Sequence, residues 1–162
     1  MQNKRKILAA LILLFLIWWL FRTPDPVDFT ADALGVKLPR GTVELTEETH
    51  GGFHGDGHTY IVIRFDEDIS DRLTGAYWHD LPMTENVSTV FYGRETDNMV
   101  YGAHLRHSLP RTTNGRYYFQ DRHPETKDPA DDSMLFTRAS YNYIAAIYDA
   151  DTRALYYFKF DT

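Results

Sequence analysis

Three of the seven histidines and an aspartate crowd into one stretch, Thr49–His58, "THGGFHGDGH". Neutral imidazoles and a carboxylate suit zinc and other first-row ions. In an extended chain, side chains two apart share a face. His54, Asp56 and His58 would then point one way, and His50 could join them across a loop. Glu47 or Glu48 could add a ligand or a general base. The same stretch holds four glycines, which loosen ligand geometry but let backbone amides approach another molecule closely. A metal site, a metal-free recognition loop and a plain turn all remain readings of it. The helical His-Glu-His spacing of zinc hydrolases does not occur here.

A second group centres on "DRHPETKDPADDS". Asp121, Arg122 and His123 end a strand-like run, and Asp128, Asp131 and Asp132 follow in a proline-bearing loop. Oxygen-rich loops can hold calcium, but the spacing does not match the twelve-residue calcium loop. Arg138, Ser140 and Asn142 recur at spacing two, as on one face of a strand. A buried arginine needs a partner, and Asp56 or Asp121 can supply it. Asp121, Arg122, His123 and Arg138 are therefore a candidate binding surface. Ser140 lacks a Gly-x-Ser-x-Gly elbow, so no catalytic triad is assigned. The eleven tyrosines suit both sheet packing and stacking on a ligand.

These groups need elements to hold them. "FTADALGVKLP" predicts one or two helical turns with Thr30 as a cap and Gly35 as a stop. Gly41–Thr49 predicts a first strand, and "TYIVIRF" (59–65), with its alternating faces, a second. Asp56-Gly57 is a turn pair, which places the histidine motif in a hairpin loop. A helix is expected from Asp68 or Ser70 to just before Pro82, and another from Thr84 to Gly93. "RYYFQD" (116–121) predicts a strand. "YNYIAAIYD" and "RALYYFKF" predict a terminal hairpin. The expected fold class is α+β: a mainly antiparallel sheet of about five strands with two or three short helices on one face, preceded by an N-terminal transmembrane helix.

That last expectation rests on "ILAALILLFLIWWLF", residues 7–21, an unbroken apolar run between Lys4-Arg5-Lys6 and Arg22. As a helix it rises about 22 Å, short of the ~30 Å hydrocarbon core, and snorkelling basic ends can make up the difference. A cleaved signal peptide is the rival, but no small-x-small cleavage site follows. The positive-inside rule leaves the N-terminus cytoplasmic and the remainder outside. The expected layout is a membrane anchor at 1–22, a linker and short helix at 23–40, and an extracytoplasmic domain at 41–162.

Of 17 basic and 23 acidic residues, four basic and no acidic ones lie in residues 1–22. Residues 23–162 thus carry 13 against 23, a net −10 with neutral histidines. Such a domain is repelled by nucleic acid. With no cysteine there is no disulfide framework and no thiolate chemistry.

The segments "LPRGTVELTEETHGGFHGDG", "LPM", "NGRYYFQDRH", "KDPADDS" and "AIYDADTRALYYFKFDT", following a basic-flanked anchor, resemble small hypothetical membrane-anchored proteins of Gram-positive, clostridia-like bacteria. The resemblance implies a single-pass topology in the cell membrane and carries no catalytic residue onto this chain.

The expected function is non-enzymatic binding of a protein partner or an envelope component, an immunity-like reception of a toxin included, with residues 7–21 in the lipid bilayer and no cofactor. The alternative is a metal-dependent hydrolase of an envelope substrate. It would hold zinc on His50, His54, Asp56 and His58, and the metal would generate a hydroxide nucleophile.

Overall fold

A computed structural model describes residues 12, 24–51, 56–95, 100–102 and 109–162. Its centre is a six-stranded, wholly antiparallel sheet. The strands are β1 (Thr42–Glu48), β2 (Gly57–Arg64), β3 (Trp78–Asp80), β6 (Gly115–Asp121), β7 (Asn142–Asp149) and β8 (Ala154–Asp161), in the spatial order β1-β2-β8-β7-β6-β3. Two-residue strands β4 (Arg94–Glu95) and β5 (Val100–Tyr101) pair separately. The helices are α1 (Pro26–Leu34) and α2 (Glu85–Tyr92).

The fold-class expectation needs correction in three respects. The domain is mostly sheet: α1 and α2 hold 9 and 8 residues, whereas β2, β7 and β8 hold 8 each. The sheet has six strands rather than five, because "WHD" forms β3 on β6 where a helix to Pro82 was expected. That helix shrinks to a single 3-10 turn, Ser70–Arg72. Ile69 and Leu73 are fully buried, and the Asp68 carboxylate accepts from the Ser70 amide at 3.0 Å, which closes a turn instead of starting a helix. Finally, no helix among the described residues is long and apolar enough to cross a membrane, so the expected transmembrane helix is not shown. Helix α1 rises only about 14 Å and carries Asp28 and Asp32. Residues 7–21, Ile12 apart, lie outside the described residues.

The two helices also lie on opposite faces. On one face, Ile61, Ile63, Tyr118, Ile144, Ala146, Tyr148, Leu155 and Tyr157 pack with Val27, Phe29, Ala33 and Leu34 of α1 and with Ile69, Leu73 and Trp78. On the other, Tyr60, Val62, Phe119, Tyr143, Ala145, Ile147 and Phe158 pack with Val87, Val90 and Phe91 of α2 and with Leu135. This explains why β7 and β8 read as nearly continuous apolar runs: both faces are covered. The segment expected as a linker and short helix, 23–40, thus supplies a core layer through α1. Asp25 caps α1 through the Val27 amide at 2.8 Å; Thr30, the expected cap, is buried inside the helix. Gly35 ends it at φ 65°, as the sequence predicts. Thr84 caps α2 and Gly93 ends it, again as expected.

Candidate functional site at the loop end of the sheet

The antiparallel order brings separated residues to one end of the sheet. Gly57 on β2 pairs with Asp161 on β8, and Asp161 with Asn142 on β7. Asp121 on β6 pairs with Tyr143. Both segments singled out by sequence, 49–58 and 121–138, therefore emerge at the same end. The opposite end carries the tight turn 149–153.

His50 and His58 do not converge. The Thr49 amide donates to the His58 carbonyl at 2.9 Å, so Thr49 faces His58 across the ladder and His50 is one residue out of phase. Side chains alternate along a strand, and the two imidazoles go to opposite faces. His50 lies with the α1-side residues: Nδ1 contacts a Glu48 oxygen, and Nε2 lies 3.1 Å from Asp161 Oδ2. The Lys159 ammonium is 2.6 Å from the same Asp161 oxygen. His58 lies on the α2 side. Its ring packs 5.8 Å from that of Phe158, its Nδ1 is 3.0 Å from the Thr49 hydroxyl, and its Nε2 is 3.3 Å from Glu47. Both nitrogens of each ring thus have a protein partner. His54 lies outside the described residues, and Asp56 is exposed. Among the described residues no three His, Cys, Asp or Glu side chains form a metal-holding group.

Gly57 lets the two strand ends approach closely. Its φ is 157°, and a β-carbon there would fall 2.6 Å from the backbone of His50. Glu48 anchors the other side. Burial would raise its pKa, but the Thr59 hydroxyl, the His50 amide and the His50 ring together hold it below the usual glutamate value.

The second segment is built on a buried ion pair. Asp121 is 2% exposed, and one of its oxygens takes the Arg138 guanidinium. The same oxygen accepts from the Thr126 hydroxyl at 2.6 Å, and the other from the His123 amide at 3.0 Å. Arg138 also donates to Thr126 at 3.0 Å. Of the two partners that the sequence offers Arg138, the fold uses Asp121. Asp121, Arg138 and Thr126 lie in the wall of a cleft of ≈ 380 Å³, with Glu125, Lys127, Asp128, Asp131 and Met134. Met134 is 56% exposed, unusual for so large an apolar side chain. Arg122 is exposed. Two buried polar atoms at this end, Arg138 Nε and Asn142 Oδ1, have no hydrogen-bond partner among the described residues.

His123 and Ser140 meet, a contact the sequence did not suggest: Nε2 is 3.1 Å from the Ser140 oxygen. The Glu125 amide donates to His123 Nδ1 at 3.2 Å. A neutral ring whose Nδ1 accepts must carry its hydrogen on Nε2. His123 therefore donates to Ser140, the reverse of what a general base does for a nucleophile.

No protein-family model, curated protein or solved structure matches this chain.

Proposed function

We propose that this chain is a membrane-attached, extracytoplasmic binding protein. The apolar run 7–21 attaches it to the bilayer, and the loop end of the sheet engages a protein or an envelope component. The observation that carries this reading is that β2 begins and β6 ends at the same end of the sheet, so segments 49–58 and 121–138 both border it. There a cleft has a rigid buried ion pair in its wall, an exposed methionine and charged loop residues around it. Recognition sites commonly sit on loops held by a rigid scaffold.

The chemistry argues for binding over hydrolysis. Each imidazole of His50 and His58 is engaged on both nitrogens, and His123 presents a donor to Ser140. The test is site-specific photo-crosslinking of the full chain in its native membrane. A photoreactive residue replaces Lys127 at the cleft or Asp151 at the opposite end. The reading expects reproducible adducts from position 127 and not from 151. Adducts from neither position, or equally from both, would contradict it.

A further inference from the structure

Strand β1 is an edge of the sheet: among the described residues it pairs only with β2. Thr49, Glu47 and Leu45 lie opposite His58, Tyr60 and Val62, and the Thr49–His58 pair is hydrogen-bonded. Hydrogen-bonded and non-bonded pairs alternate in an antiparallel ladder. Thr46 and Glu48 accordingly turn their N–H and C=O groups away from β2, and both residues are exposed. A bulge between Val43 and Leu45 confines this regular edge to the half nearest the loop end.

Such an edge is a template for another extended chain. β1 carries Glu44, Glu47 and Glu48, whose side chains are 38%, 21% and 51% exposed. They disfavour a second copy of the same strand. Antiparallel self-pairing through Thr46 and Glu48 can centre on residue 46, 47 or 48. The registers centred on 47 and 48 oppose Glu47 with Glu47 and Glu48 with Glu48, and the one centred on 46 sets Glu48 against the bulge at Glu44, whose carboxylate Arg64 holds. Like charges directly opposite destabilise a pair. An edge that repels its own copy attracts a strand with basic side chains at alternate positions.

We infer that β1 binds an extended, basic segment of the partner by strand addition, through the backbone of Thr46 and Glu48. This rests on the binding reading above and names the partner's chemistry. The incoming strand forms the main-chain bonds, and its lysines or arginines on the α1 side lie beside Glu48.

The test uses the full chain in detergent micelles and three seven-residue peptides. The first alternates lysine and valine, the second replaces lysine with glutamate, and the third is the lysine peptide with proline at its centre. Amide exchange is followed by NMR. The lysine peptide is expected to slow exchange at Thr46 and Glu48, and the other two to leave it unchanged. Thr46→Pro removes an amide that does not face β2, so the β1–β2 ladder and the melting temperature are retained while protection of Glu48 is lost. Thr46→Lys weakens the lysine peptide roughly tenfold. Saturation without protection at these amides, equal binding of the proline peptide, or a dimer that Thr46→Pro dissolves would each overturn the inference. Adducts at position 127 without edge protection would leave the binding reading standing and remove this one alone.

Discussion

His50 and His58 stand at the facing ends of β1 and β2 yet send their rings to opposite faces of the sheet, His50 to Asp161 and His58 to the ring of Phe158. Parity decides this. Once Thr49 pairs with His58, His50 is out of phase, and no rotamer brings the two imidazoles to one ion. The two rings also share no hydrogen-bond partner. His50→Ala and His58→Ala should therefore be additive in urea unfolding to within about 0.5 kcal/mol. Equimolar zinc should leave the unfolding midpoint unchanged. A coupling above about 1 kcal/mol, or zinc stabilisation lost in either variant, would show that the rings act together.

The Asp121–Arg138 pair is the structural anchor of the cleft. Removing one member leaves the other charge buried. Asp121→Ala should cost about 3–5 kcal/mol in denaturant unfolding. Replacing both, as Asp121→Leu with Arg138→Met, should recover part of that loss. A cost below about 1 kcal/mol for Asp121→Ala would mean that water reaches the pair.

Burial sets the alkaline limit of the fold. It raises the pKa of Tyr118 and Tyr148 to about 12, and those of Tyr60, Tyr143 and Tyr157 further still. Unfolded tyrosine ionises near pH 10. The neutral phenols thus contribute stability that is complete below about pH 10 and is lost as pH rises through the folded values. Unfolding free energy should fall steadily above pH 10, and the buried phenolate absorbance should appear together with the loss of near-ultraviolet dichroism. Five phenols ionising at pH 10 in a folded protein would contradict this burial.

The His123–Ser140 contact predicts a negative result in chemical labelling. With the Glu125 amide on Nδ1, the ring has no free lone pair to activate Ser140. A fluorophosphonate probe should leave Ser140 unmodified in the folded chain. Stoichiometric labelling there would require the other tautomer and would contradict the assignment of His123 as a donor.

Much of the sheet was legible because its strands carry their signal locally. "TYIVIRF" and the terminal hairpin show the β-branched and aromatic runs of covered strands, and Gly35, Thr84 and Gly93 mark helix ends by their own chemistry. Strand β3 was not legible, since three residues, Trp78–Asp80, are too few to show a period and exist only because β6 lies beside them. That Arg138 needs a carboxylate partner followed from the cost of a buried charge, but the choice of Asp121 over Asp56 did not. The separation of His50 from His58 did not follow, because it depends on which residue of the hairpin pairs with which. That both loops border one end of the sheet depends on β8 lying between β2 and β7, a long-range fact with no local signature.

The central claim is that the loop end is the surface this protein uses. Carboxylate footprinting of the full chain tests it most directly, by labelling with carbodiimide and glycine ethyl ester in native membranes and again after purification. The account predicts that Glu125, Asp128 and Asp131 are labelled less in membranes, while Asp66, Asp71 and Asp151 are labelled equally in both. Equal labelling at every site, or protection confined to Asp66, Asp71 and Asp151, would contradict it.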